Sequence, residues 1–171
     1  MKKYRVGLLV GRFQPFHLGH LRAVEYAASR CEKLVIGIGS AQECGTDRNP
    51  FDADTRMRMI EESLKETNDV DLSRVEFLKI PDFMDDDKWY NYIIERVQDL
   101  EVVFSGNNWV KRIFRTRGVK VVTPPWYNRG EISGTKIRYM IKNGEKWEGF
   151  VPHAVISIIN QHKSELAPVN G

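Results

Sequence analysis

The sequence predicts a single α/β domain: a doubly wound, five-stranded parallel sheet followed by C-terminal helices. Two observations carry this prediction. Five short β-rich runs alternate with stretches of helical periodicity, and such alternation implies right-handed crossovers between parallel strands. Most of the runs are also nearly continuous in apolar residues, as strands covered on both faces should be. A length of 171 residues with 42% hydrophobic content suits one domain with a sizeable core.

The first strand is "YRVGLLV", Tyr4–Val10. Leu21, Val24, Ala28 and Cys31 then recur at helical spacing, before a second strand at Lys33–Gly39. Met57, Ile60 and Leu64 mark the next helix, with Asp52 or Asp54 as its cap. A third strand follows at Val75–Ile80, then a helix carrying Trp89, Ile93 and Val97. The fourth strand is Val102–Gly106 and the fifth Val119–Thr123, separated by a helix with Val110, Ile113 and Phe114. Beyond them the pattern is helical. Ile137, Met140 and Ile141 form a stripe ended by Gly144, and Val151, Val155, Ile158 and Ile159 form another, with Pro152 in its first turn. Residues 1–125 are thus read as the alternating core and 126–165 as a helical part, in one domain over 1–171.

Composition narrows the function classes. A net charge of +3 suits anionic small molecules and falls well short of the excess usual for nucleic-acid binding. Cys31 and Cys44 make neither a disulfide framework nor a four-ligand zinc site. No apolar run is long enough to span a membrane. The opening "MKKYRVGLLVGRF" starts like a signal peptide but meets Arg12 after a very short apolar stretch. A cytoplasmic protein is expected.

In a doubly wound sheet, ligands bind in the turns that leave the carboxyl ends of the strands. The first such turn is "GRFQPFHLGH", Gly11 to His20. Gly11 permits a tight exit, and His17 and His20 straddle the start of the next helix, where unpaired N–H groups favour an anion. Gly19 lets a ligand approach the backbone, and Arg12 would complete a phosphate cradle. His20 packed on the helix and His17 on the surface is the plainer reading. No further His/Cys cluster follows, so no metal site is expected. Far along the chain, "EISGTKIRYM" puts Ser133 at a helix start with Thr135, Lys136 and Arg138 behind it. This is a second phosphate-binding pattern, although Ser133 as a simple N-cap and Arg138 on a solvated face would also satisfy the residues. Both segments lie at one edge of the predicted sheet.

"GRFQPFHLGH" and "ISGTKIR" resemble the two signatures of the HxGH nucleotidyltransferase superfamily. "GSAQ" at Gly39–Gln42, "NPF" at Asn49–Phe51, Arg56, Trp89 and "SGN" at Ser105–Asn107 resemble its archaeal nicotinamide-nucleotide adenylyltransferase type. The family continues GSAQ with Ser-His-Thr, whereas here Gly45 stands at the histidine position. Likewise "NPFDADTR" lacks the usual Thr-Ala-Gly-Glu before Arg56. The resemblance implies a Rossmann-like fold, commonly a homohexamer. It implies transfer of the adenylyl group of ATP to nicotinamide mononucleotide (NMN), giving NAD and pyrophosphate, with a divalent cation, usually magnesium. It puts His17, His20, Arg12 and Arg138 in the catalytic set. Gly11, Phe13, Gly19, Ser133, Thr135 and Arg138 would serve the ATP phosphates, and Ser40, Arg48, Trp89 and Asn107 the NMN or NAD moiety.

The chemistry agrees with those residue types. A phosphate monoester with a second pKa near ~6 is mostly dianionic at neutral pH, so an attacking NMN phosphate needs no general base. What it needs is positioning and stabilisation of charge on the α-phosphate and pyrophosphate. Neighbouring polyphosphate would favour the protonated form of His17 and His20. Trp89 would stack on the cationic pyridinium, helped by the acidic run Asp85 to Asp87; alternatively, Trp89 is core and the aspartates are caps. Transfer to another phosphorylated acceptor, such as FMN or phosphopantetheine, stays open. So does a nucleotide-sensing or single-stranded RNA module built on Trp89, Trp109 and Trp126.

Overall fold

The structure, a computed structural model, describes residues 2–125 and 130–163. Five strands form one sheet: β1 (Tyr4–Gly11), β2 (Cys31–Ile38), β3 (Val75–Lys79), β4 (Leu100–Phe104) and β5 (Lys120–Val122). Their order is β3-β2-β1-β4-β5, and every pairing is parallel. The chain therefore winds outward from β1 to β3, crosses back over, and winds outward again through β4 and β5. The crevice between β1 and β4 is the switch point at which such sheets bind ligands.

Side-chain alternation explains why the strands read as continuous apolar runs. Leu9, Ile36 and Phe104 point to one face, where they join Leu21 and Val24 of helix α1 (Leu18–Ala28) and Met59, Ile60 and Leu64 of α2 (Ala53–Thr67). Leu8, Val35 and Val103 point to the other face and meet α3 (Asp86–Arg96) and α4 (Asn108–Arg115). Helices α5 (Gly134–Lys142) and α6 (His153–Gln161) add Ile137, Val155, Ile158 and Ile159 to the first face. Both faces are covered, so both positions of each pleat must be apolar.

Several element edges differ from the sequence reading. Cys31 opens β2 rather than closing α1, whose C-cap is Ser29. Met59 rather than Met57 is buried on α2, and Asp52 is the cap, accepting from the Thr55 N–H at 2.7 Å. Val97 is the C-cap of α3, and Val151 precedes α6 with Pro152 at its N-cap. Among the described residues no helix is long and apolar enough to cross a membrane. Trp126 and the start of the helical part lie outside the described residues.

Candidate active site

All five turns at the carboxyl ends of the strands contribute to one cavity of about 760 Å³. The N-caps of three helices line it: His17 of α1, Asn107 of α4 and Ser133 of α5. Each cap is set by local chemistry. Asn107 accepts from the N–H groups of Trp109 and Val110 at 2.9 and 3.1 Å, and the Ser133 hydroxyl accepts from Lys136 N–H at 3.2 Å. At α1 the cap is a reciprocal pair of imidazoles. His17 Nδ1 accepts from the His20 N–H and His20 Nδ1 from the His17 N–H, both at 3.3 Å. The two rings stack with centroids 3.6 Å apart, and Phe13 meets His20 edge-on. Helix geometry leaves the first N–H groups of each helix without intrahelical acceptors, so three partial positive charges converge on one volume.

Buried arginines hold these turns together. Arg56 has no exposed surface and donates to the carbonyls of Arg12 (2.8 Å), Gly39 (2.7 Å) and Ser40 (3.1 Å), tying the first turn to the second. Gln14 makes a two-way bond to the Phe51 backbone, 2.7 Å to the carbonyl and 3.0 Å from the N–H. Arg138 donates to Gln14 O at 2.7 Å, Asp47 O at 3.0 Å and Thr135 Oγ1 at 3.4 Å. Gly134 lets α5 start close against the first turn, where a Cβ would lie only 3.0 Å from Gln14 O.

The model of the cytidylyltransferase-like family matches residues 8–140. The nicotinamide-nucleotide adenylyltransferase of Saccharolobus solfataricus is 41% identical over 93% of this chain and 92% of its own length. The chain belongs to this family. A second relative, the nicotinamide-nucleotide adenylyltransferase of Pyrococcus furiosus, is 40% identical over 91% of this chain and 82% of its own. Among solved structures, a bifunctional NMN adenylyltransferase/ADP ribose pyrophosphatase from Francisella tularensis, complexed with AMP and a manganese ion, superimposes with a TM-score of 0.77. It is 22% identical and supports the fold; the match covers 95% of this chain and about half (52%) of that one.

In this nicotinamide-nucleotide adenylyltransferase chain, the cavity brings together Gly11, Arg12, Phe13, His17, Gly19 and His20 from the first turn. Ser40, Arg48, Trp89, Asn107 and Ser133 line it as well. Thr135 and Arg138 are not part of its lining, and the Arg138 guanidinium is directed at backbone carbonyls. Burial, then neighbouring Arg12 and Arg48, pushes that guanidinium below its ordinary value. Lys136 points away, its ammonium 5.5 Å from the Phe150 ring.

One expectation changes. The acidic run is structural: Asp85 caps α3, Asp86 accepts from Trp109 and Arg112, and Asp87 pairs with Arg117. The carboxylate at the cavity is Asp82, held by Ser40 Oγ at 3.1 Å and Gln42 Nε2 at 2.9 Å. Trp109 also lines the cavity. The sequence reading missed Asp82, although its place just beyond the third strand was a signal. In the free protein, with no polyphosphate beside them, burial opposes protonation of both histidines. Burial lowers His17 to about 4, and burial followed by His17 lowers His20 well below its ordinary value. Because each Nδ1 accepts a backbone N–H, the proton sits on Nε2, and the pair presents neutral donors.

That burial has a measurable consequence. The folded chain disfavours protonated His17, so its contribution to stability is complete above the unfolded pKa near 6.5 and is lost as pH falls toward about 4. His17→Asn keeps a capping oxygen but does not titrate. Between about pH 7 and pH 5 it should lose less stability than wild type, by roughly 1–2 kcal/mol. Urea unfolding at the two pH values checks this, and equal losses would trace the acid sensitivity elsewhere.

Trp89 is only 4% exposed, and its ring packs on Phe114 as well as Trp109. It belongs mainly to the core and touches the cavity with one part of its surface. Trp89→Phe should therefore cost roughly 1–2 kcal/mol of stability through lost packing. Thermal unfolding reads this directly; an unchanged midpoint would mean that the ring is supported by ligand rather than core.

Proposed function

We propose that the protein transfers the adenylyl group of ATP to the 5′-phosphate of NMN, giving NAD and pyrophosphate. The observation that carries this reading is the convergence of three helix N-termini with Arg12 and Arg48 on one cavity. Such a cluster suits two polyanions. The acceptor phosphate, already dianionic, attacks the α-phosphorus in line, and pyrophosphate leaves. His17 and His20 supply Nε2–H donors to charge building on the phosphates. Arg12 binds the triphosphate and Arg48 the phosphate of NMN, while Gly19 N–H and the start of α5 at Ser133 add helix-terminus donors. Arg56 and Arg138 position the turns that carry these groups.

The described residues include no group of three or more His, Cys, Asp or Glu side chains able to hold an ion, and Asp82 already receives two hydrogen bonds. This donor set fits a divalent cation that enters coordinated to ATP, and magnesium is the ion we assign to it. The cation supplies charge neutralisation on the triphosphate.

The test is pyrophosphate release with magnesium, ATP and a panel of acceptors: NMN, nicotinate mononucleotide, FMN and phosphopantetheine. Turnover with NMN, with NAD identified by mass, is the expected result. Turnover confined to FMN or phosphopantetheine overturns the assignment.

A further inference from the structure

The described residues place one large aromatic face at the cavity that the core does not consume. Trp109 is 41% exposed and lines the cavity beside Trp89, with ring centroids 4.6 Å apart. Its position is over-determined. The backbone N–H is held by Asn107 Oδ1 at 2.9 Å, one side of the ring rests on Trp89, and indole Nε1 donates to Asp86 Oδ1 at 2.9 Å. The other carboxylate oxygen of Asp86 accepts from Arg112 at 3.1 Å, so the acceptor of the indole N–H is itself fixed.

We infer that Trp109 is a wall of the acceptor pocket selective for a cationic ring, and that Asp86 is the residue that positions and polarises it. The inference rests on the adenylyltransferase reading above. An indole attracts a cation through the negative potential of its π face. An N–H hydrogen bond to a carboxylate pushes electron density back into the ring and deepens that potential. Asp86 thus acts on a ligand it does not touch. The cavity also carries Asp82, whose charge has the same preference, while the cationic Arg12, Arg48 and the imidazole donors suit phosphate. Among the two bases to be bound, the pyridinium of NMN is the cation and adenine is neutral, so the aromatic end falls to NMN.

Calorimetric titration of the full chain with NMN, with its reduced form (an uncharged dihydropyridine of nearly the same shape) and with ATP separates charge from area. Trp109→Ala should weaken NMN by roughly 2–30-fold, the range of a cation–π contact, while the reduced form and ATP change much less. Asp86→Ala should shift the NMN-to-reduced-NMN preference in the same direction and alter tryptophan emission. Asp86→Asn, whose amide oxygen still accepts the N–H, should keep the wild-type emission and give up only part of the preference. In a Trp109→Phe background, which has no N–H to polarise, Asp86→Ala should add nothing. Equal loss of both mononucleotide forms, loss of ATP binding alone, or no effect of Asp86→Ala in a folded variant each overturns the inference. Wild-type protein that binds ATP but neither mononucleotide form overturns the acceptor assignment beneath it.

Discussion

His20→Ala lowers turnover by roughly 10²–10⁴-fold with the fold retained, as loss of a donor to developing phosphate charge should. The structure gives the donor a definite state. His20 Nδ1 is taken by the His17 N–H, so the Nε2 proton is free for the substrate. Stacking on His17 and the edge contact with Phe13 fix the ring plane, so the group is oriented before ATP arrives. Truncation also removes half of the capping box at α1, for which the usual loss is about 1 kcal/mol. That is too small to unfold a domain of this size, and the main effect falls on kcat. With the ring acting as a neutral Nε2–H donor, wild-type kcat should stay level between about pH 7 and 9 once the acceptor phosphate is ionised. A falling limb in that range, absent from His20→Gln, would assign the catalytic form to imidazolium. A folded His20→Ala protein with near-normal turnover would reduce the histidine to packing.

The sheet was legible because its physics is local. Burial on both faces forces apolar residues at consecutive positions, and Val35, Ile36 and Phe104 show the two faces claiming alternate side chains of neighbouring strands. The two phosphate turns were legible for the same reason: a cap such as His17 or Ser133 must lie beside the helix it starts. Contacts between turns were less so. Asp85 to Asp87 looked free to attract a cation, yet α4 and the turn that follows it pass close enough for Trp109, Arg112 and Arg117 to claim two of them. Arg138 looked like a phosphate ligand from its place on a helix start, and its guanidinium lies among carbonyls of residues 14 and 47. Cys31 fitted a helical stripe by spacing alone, because nothing within a few residues announces that the chain has already turned into β2.

Arg56→Met should destabilise the protein by roughly 2–6 kcal/mol, and the reason is what stays behind rather than what is removed. Replacing a buried ion pair with an apolar side chain is often neutral, because desolvation offsets attraction. Arg56 is not in that situation. Its partners are the backbone carbonyls of Arg12, Gly39, Ser40 and Asp52. Ser40 O keeps the Glu43 N–H and Asp52 O the Arg56 N–H, so the carbonyls of Arg12 and Gly39 are the ones left behind when the guanidinium is gone. Each buried acceptor left without a donor costs about 1–3 kcal/mol. Methionine fills much of the volume, so the cavity contribution is small and the orphaned carbonyls dominate. Lysine brings one ammonium where three nitrogens had worked, and Arg56→Lys should fall between wild type and Arg56→Met. For a chain of this length, 2–6 kcal/mol corresponds to a midpoint lowered by roughly 4–24 °C. Catalytic loss should follow through the turns, since Arg12 and Ser40 line the cavity and lose their shared anchor. The decisive comparison is thermal unfolding of the three proteins beside ATP titration under conditions where all are folded. An Arg56→Met protein as stable as wild type, but with weakened ATP binding, would make Arg56 a substrate ligand. A parallel decline in stability and turnover, graded through lysine, identifies it as the anchor joining the first two turns.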